Sequence, residues 1–375
     1  MTEPPANPRA DASVFARVGL LMYILLIVYA SWYPFSGWHN MGLQPWSFLF
    51  APLPHYWTVF DAVTNVIAYF PFGMLMVFAL YPRLRGLAAG ALAILAGILL
   101  SGVMEAVQTF LPSRVSSNLD LITNAAGSSL GALAGMLLTR GFLQQGRLVQ
   151  LRQQWFSQEA SRGLIVVGLW PLAQIYPQAY LFGHGQVLPI LSDWLTQWME
   201  EPFDLAAMLT SDLKLTAQEY WLSETIITAS GLTGAALTLL CMMRRQAPRA
   251  RLMLLMIAAA FAVKSMANAL AFSPDSAFVW LTPGAKGGLL VGAMMLSGLA
   301  FTGQAVQRRV AALMLTISVV VANLVPINPY FVATLQTWIQ GKFLNFNGAA
   351  QFLSLFWPFL ALWFLSHPTH RLMKK

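Results

Sequence analysis

The 375-residue sequence has little charge: only 10% of its residues are Asp, Glu, Lys or Arg, whereas soluble domains carry about 25%. Its single cysteine, Cys241, excludes an intrachain disulfide and a Cys/His zinc pattern. It also has no Walker-A loop, nucleotide-binding glycine fingerprint or Gly-x-Ser-x-Gly nucleophile elbow. Its composition excludes a soluble enzyme, a disordered chain and a fibrous protein.

Hydrophobic residues make up 57% of the chain, and the mean hydropathy is +0.61. Apolar runs of about 18 residues or more predict transmembrane helices. Ten such runs occur, at 16–34, 59–80, 86–109, 119–138, 163–182, 223–243, 252–272, 278–301, 310–326 and 347–366. We therefore expect an all-α, polytopic integral membrane protein with about ten transmembrane helices in a four-plus-six arrangement.

The basic residues of this chain, whose net charge is +8, predict its orientation. Of the 22 Lys and Arg residues, 17 lie in one alternating set of segments, which includes both terminal tails, and three lie in the other set. Basic loops stay in the cytoplasm. The pattern predicts a multi-pass protein of the bacterial cytoplasmic (inner) membrane with both termini cytoplasmic, and it does not favour a nucleic-acid partner.

Composition also divides the chain. We expect a four-helix transmembrane unit at 1–138, a cytoplasmic basic linker at 139–162 and a six-helix transmembrane unit at 163–375. The last unit contains an outer acidic loop, 183–222, with interleaved tryptophans. This loop is interpreted either as a short amphipathic helix on the membrane surface or as a solvated acidic loop.

Three helix ends of the N-terminal unit, all expected on the outer side, each carry an acid and an amide on one helical face. The pairs are Asp61 with Asn65, Glu105 with Gln108, and Asp120 with Asn124. A charge at the centre of a membrane helix costs about 2.5–3.5 kcal/mol, so such residues indicate function. Alternatively, Asp61 and Asp120 cap the starts of their helices.

Arg114 lies in the short loop between the third and fourth runs, where it is able to pair with Glu105 or Asp120. We expect these side chains to converge in one outward-facing, net acidic pocket. The predicted substrate-binding residues are Asp61, Asn65, Glu105, Gln108, Arg114, Asp120 and Asn124. No catalytic residue, cofactor or metal ligand is predicted.

Other small and charged residues have separate interpretations. Gly127, Gly131 and Gly135 form a stripe at four-residue spacing, which is typical of close helix packing in lipid. In the C-terminal unit, Lys264 and Lys286 lie within apolar runs. They either pair with outer acids such as Glu224 or Asp275, bind an anionic headgroup, or reach the interface. The segment Pro283-Gly284 with Gly287-Gly288 is a possible break in the eighth run.

Two sets of motifs resemble the signatures of the VanZ-like membrane family. The first comprises Asp61-Ala-Val-Thr-Asn65 and Phe70-Pro71-Phe72-Gly73; the second comprises Glu105-Ala-Val-Gln108, Leu111-Pro112-Ser113-Arg114 and Asp120-Leu-Ile-Thr-Asn124-Ala-Ala-Gly127. The resemblance covers about residues 15–140. Family members often have a further acid where this chain has Val115-Ser116-Ser117-Asn118. The family is named for a protein associated with teicoplanin resistance, so the resemblance implies an envelope role without supplying a reaction.

We therefore expect a protein that binds or handles a glycopeptide, a lipid-linked sugar or a lipid headgroup, its partner being a membrane lipid or a lipid-linked envelope intermediate. One alternative is a proton-coupled transporter in which Glu105 titrates and Lys264 or Lys286 forms part of the path. Others are a membrane enzyme that uses the carboxylates on a lipid-linked substrate, and a structural subunit. The sequence does not choose among them.

Overall fold

The computed structural model describes residues 8–33, 35, 37–54, 57–139, 150–151, 154–157, 160–210, 215–326 and 344–367. Helices and their connections account for these residues, and no β-strand occurs among them. The prediction of an all-α protein is confirmed. The predicted basic linker lies largely outside the described residues, which omit 140–149, 152–153 and 158–159.

The described part of the chain contains twelve α-helices. In chain order they are α1 Pro8–Trp32, α2 Val59–Leu80, α3 Gly86–Gln108, α4 Asn118–Thr139, α5 Ala160–Leu172, α6 Val187–Met199, α7 Leu205–Thr210, α8 Ala217–Leu240, α9 Arg249–Ala271, α10 Pro283–Leu299, α11 Gln304–Leu324 and α12 Leu344–Ser366. Short 3-10 turns occur at Ser47–Phe50 and Pro274–Ser276.

Six segments among the described residues are long and apolar enough to cross a bilayer. They are Asp61–Leu80, Gly86–Gln108, Asn118–Thr139, Arg249–Ala271, Gln304–Leu324 and Ala349–Ser366. They correspond to six of the ten predicted runs, and they identify a multi-pass membrane protein. The apolar parts of α1 and α10, like α5, are at most 17 residues long.

The predicted span 163–182 is wrong in its second half. Helix α5 ends at Leu172, and residues 173–186 form turns. Pro177 removes a backbone donor and disfavours helical geometry at Tyr176, so the helix does not resume there. The acidic segment that follows contains α6, in agreement with the helical interpretation of that loop.

The chain forms two compact units, residues 1–153 and 154–375, called the front and rear units below. In the front unit, α2 and α4 approach so closely that a Cβ added at Gly131 would overlap the Phe70 carbonyl. A Cβ at Gly127 would likewise overlap the Val66 carbonyl. The predicted packing role of this glycine stripe is confirmed.

The rear unit is arranged around α8, whose residues from Ile227 to Leu240 are almost all buried, and which packs against α10 and α11. Helix α10 begins at Pro283 and continues through Gly287 and Gly288, so the eighth run, 278–301, is interrupted before Pro283 and not at the later glycines. A Cβ at Gly284 or Gly288 would collide with Glu224 or Thr228 of α8. These glycines therefore serve the approach of two helices.

Candidate functional site

Helices α2 and α4 are joined by an amide–carboxylate contact. The Asn65 Nδ2 group donates to Asp120 Oδ1 at 2.9 Å and to Thr123 Oγ1 at 3.3 Å. The Thr123 hydroxyl donates in turn to the backbone carbonyl of Leu119 at 2.9 Å. The glycine contacts between these helices bring their first turns within hydrogen-bonding distance. The fold therefore brings Asn65 and Asp120 together, although they lie far apart in sequence.

Glu105 is a buried carboxylate at the end of α3, with an exposed fraction of 3%. Its Oε2 accepts a hydrogen bond from the Ser117 backbone N–H at 2.8 Å, and the Ser116 hydroxyl donates to the Glu105 backbone carbonyl at 2.8 Å. The Asp120 carboxylate is close enough to interact electrostatically with Glu105. The loop before α4 thus positions two acids side by side.

Asn124 extends the site one turn deeper into the front unit. Its Nδ2 group donates to the Ser101 hydroxyl at 2.9 Å, and both residues are buried. The Asn124 Oδ1 atom is buried without a hydrogen-bond partner among the described residues. A buried acceptor of this kind is costly unless a further donor reaches it.

Gln108 and Arg114 hold the end of α1. The Gln108 side chain donates to the Ser31 carbonyl at 3.0 Å. Arg114 donates to the carbonyls of Tyr33 at 3.0 Å and Ala30 at 3.3 Å, and burial lowers the pKa of its guanidinium. The last carbonyls of a helix lack intrahelical partners and attract cations. These contacts are to the backbone, and the pairing of Arg114 with Glu105 or Asp120 stays a prediction.

Asp61 lies at the edge of this arrangement and is exposed. The Thr58 hydroxyl accepts from the Asp61 backbone N–H at 3.1 Å and donates to Asp61 Oδ2 at 2.7 Å, which caps α2. The Asp61 charge is still close enough to act on Asp120. The capping interpretation of Asp61 therefore describes its contacts best.

The interhelical contacts define a front polar cluster: Asn65, Ser101, Glu105, Asp120, Thr123 and Asn124. Sequence reasoning missed Ser101, although it precedes Glu105 by one turn and so shares its helical face. It also missed Ser117, whose backbone N–H binds Glu105. That contact depends on the path of a loop, which side-chain spacing does not reveal.

The VanZ/LLP1 family model matches residues 16–139. The N-terminal portion of this chain is VanZ-like. The match ends at the last residue of α4, so the front polar cluster lies wholly within the VanZ-like region and the rear unit lies outside it. No curated protein and no solved structure matches the chain.

An aromatic loop precedes α2 in the VanZ-like region. Trp46, Phe50 and Trp57 are 54%, 89% and 54% exposed. The loop is tied to the start of α4, because Asn118 Nδ2 donates to the Ala51 carbonyl at 2.6 Å. Exposed tryptophans are typical of membrane interfaces. The aromatic loop therefore lies at the same end of the helices as the front polar cluster.

The rear unit contains a cavity of about 210 Å³. It is lined by the ends of α8, α9 and α10 and by the turns that follow α5. Glu224 and Lys264, both buried, face it together with Asn268. Lys286 and Asp275 are exposed instead. Of the two lysines within the predicted spans, only Lys264 is therefore held inside the protein.

A second polar group lies beside this cavity. The amides of Gln174 and Gln178 lie 2.6 Å from the two ring nitrogens of His184, and Gln178 also contacts the Ser354 hydroxyl. Burial lowers the pKa of His184 to about 3, and the charge of Lys264 acts in the same direction. Burial therefore favours the neutral imidazole. Among the described residues, no group of three or more His, Cys, Asp or Glu side chains is arranged to hold a metal ion.

Proposed function

We propose that the VanZ-like region binds a polar component of the bacterial envelope at the front polar cluster: a glycopeptide, a lipid-linked sugar or a lipid headgroup. The observation that carries this proposal is the buried Glu105 carboxylate beside Asp120. Burying a charge is costly, and a second acid nearby increases that cost. A ligand that donates hydrogen bonds to both carboxylates would reduce it.

The chemistry of the cluster supports a ligand rich in donors. Its carboxylates are acceptors, and the free Oδ1 of Asn124 is a further acceptor. Sugar hydroxyls and ammonium groups donate to such atoms, and each proposed ligand class carries one or both. A bare anion is disfavoured by the two acids. Because Asp61 lies at the edge and adds a third negative charge, it strengthens this preference.

The proposed topology gives the ligand a route to the front polar cluster from the outer side of the membrane. With both termini in the cytoplasm, the start of α2, the end of α3 and the start of α4 lie on the outer side of the cytoplasmic membrane. The aromatic loop would then rest at the outer interface. Envelope intermediates are exposed on that side, so the partner would be a membrane lipid or a lipid-linked intermediate that arrives within the bilayer plane.

Binding by the purified full-length protein in lipid nanodiscs tests this function. The probes are teicoplanin and a polyprenyl-linked disaccharide. We expect at least one probe to bind and Glu105→Gln and Asp120→Asn to weaken its affinity about tenfold, equivalent to about 1.4 kcal/mol. The control is Glu201→Gln, which changes an exposed acid of the rear unit in the same way.

Both cluster variants keep the shape of the side chain and its acceptor oxygen, so helix packing is preserved. Gel filtration and thermal unfolding of each variant check this. Equal affinity in the cluster variants and the control would contradict the assignment of the site. Failure of both probes to bind the wild-type protein would contradict the glycopeptide and the lipid-linked sugar as ligands.

A further inference from the structure

The rear cavity presents two opposite charges that are not paired with each other. Lys264 is 2% exposed and Glu224 is 8% exposed. The Lys264 Nζ group donates to the Tyr176 backbone carbonyl at 3.4 Å. Glu224 accepts from the Thr282 hydroxyl at 2.5 Å, and no ion pair joins it to Lys264. Among the residues that the structure describes, each charged group therefore faces the cavity without a counter-charge in direct contact.

Such an arrangement is expensive in a membrane protein. Buried charges need partners, and a ligand of one sign would compensate only one of these two groups. A ligand that carries both signs would compensate both. We propose that the rear cavity binds a small zwitterion of the phosphoethanolamine type, with its phosphate at Lys264 and its primary ammonium at Glu224.

The remaining lining suits the same ligand. Tyr180, Trp221 and Trp280 contribute aromatic surfaces, which attract ammonium groups. Trp280 is fixed by a hydrogen bond from its Nε1 to the Ala277 carbonyl at 2.9 Å and by stacking on Phe261, with ring centroids 5.2 Å apart. A wall that is already ordered loses little entropy when a ligand binds.

Two amides also line the cavity. Asn268 lies one turn after Lys264 on α9 and is 7% exposed. Gln178 is 8% exposed, lines the cavity, and keeps its Oε1 without a hydrogen-bond partner among the described residues. The Gln178 amide nitrogen is already bonded, so its buried oxygen is the atom able to accept from a donor group of the ligand.

The size and opening of the cavity restrict the ligand. About 210 Å³ is small for a drug-sized molecule, and suits a headgroup rather than a glycopeptide. Trp221 and Val279 on its lining are 50% and 54% exposed, which places its mouth at the protein surface. A headgroup is therefore able to enter either from a phospholipid or from solution.

Native mass spectrometry of the full-length protein in detergent tests the proposal with phosphatidylethanolamine and phosphatidylglycerol as probes. The second lipid has the phosphate but lacks the ammonium. We expect the wild-type protein to prefer phosphatidylethanolamine about tenfold. Lys264→Gln should weaken binding of both lipids, and Glu224→Gln should remove the preference. Lys286→Gln and Glu201→Gln, which change exposed residues, should leave both affinities unchanged.

Free O-phosphoethanolamine distinguishes the two sources of the headgroup, a phospholipid and a small molecule in solution. If it competes with the lipid and raises the unfolding temperature of the wild-type protein, the headgroup alone is sufficient. If only the lipid binds, with the expected preference, the acyl chains are required. Both outcomes support the zwitterion site.

Equal binding of the two lipids by the wild-type protein, with no effect of free phosphoethanolamine, would overturn the proposal even if a variant failed to fold. Equal effects of Lys264→Gln and Lys286→Gln in folded proteins would also overturn it. Because these residues lie in the rear unit, neither result bears on the proposed function of the front polar cluster. The nanodisc binding experiment tests that function separately.

Discussion

The front and rear units both bury polar groups, but they connect them differently. In the front unit, Asn65 is hydrogen-bonded to Asp120 and Glu105 to the Ser117 backbone, so helices are joined through their polar residues. In the rear unit, Lys264 and Glu224 face a cavity and do not pair. In the front unit, two polar side chains from different helices thus bond to each other, whereas in the rear unit each charge bonds to a neighbouring residue and the two charges do not bond to each other.

In both units, close packing of two helices at glycines positions the buried polar groups. Glycines allow α2 to approach α4 in the front unit and α8 to approach α10 in the rear unit. In lipid, helix association depends on van der Waals packing and interhelical hydrogen bonds rather than on a hydrophobic driving force. The polar sites therefore depend on small residues that carry no chemistry themselves.

Replacing Gly131 by valine should give the largest effect, because the obstacle is the Phe70 backbone carbonyl, which cannot rotate away. We expect a loss of about 3 kcal/mol or more, the upper end for overpacked positions. Gly288→Val in the rear unit should cost less, because a Cβ there overlaps Thr228 Cβ less severely than a Cβ at Gly131 overlaps the Phe70 carbonyl. Thermal and denaturant unfolding of the purified protein measure both.

Gly102→Val is the matched control, since a Cβ at this position of α3 has no neighbouring atom within 4 Å. It should change stability by less than about 1 kcal/mol, the cost expected at an open helix position. If Gly131→Val is no worse than this control, the close contact of α2 and α4 is not present in the membrane.

Replacing two threonines that cap helices should give losses of unfolding free energy of intermediate size. The Thr58 hydroxyl caps α2 and bonds to Asp61 beside it, whereas the Thr282 hydroxyl caps α10 and also donates to Glu224. Thr58→Ala should cost about 1 kcal/mol, the usual value for a cap. Thr282→Ala should cost about 2 kcal/mol, because it also leaves a buried acid without its donor. Equal losses of unfolding free energy would show that Glu224 gains no stability from Thr282.

The sequence predicted the front site better than the rear one. Asn65, Glu105, Asp120 and Asn124 lie at helix ends, where spacing along the chain indicates which faces are polar, and the all-α fold follows from long apolar runs. The rear cavity depends on the turns after α5, because Gln178 and Tyr180 line it. Those residues fell inside a predicted span that ends early, and hydropathy contains no information about such a turn.

The smallest predicted effect concerns the bond that defines the front polar cluster. A double-mutant cycle with Asn65→Ala and Asp120→Ala should give a coupling energy of about 0.6–1.7 kcal/mol, the range for polar contacts between membrane helices. Asp61→Ala combined with Asn65→Ala is the control cycle. Asp61 bonds to Thr58 and not to Asn65, although they share a helical face, so its coupling should be near zero. Equal coupling in the two cycles would mean that Asn65 recognises general negative charge rather than Asp120. The front polar cluster would then be a set of separate helix ends, and its contrast with the rear cavity would disappear.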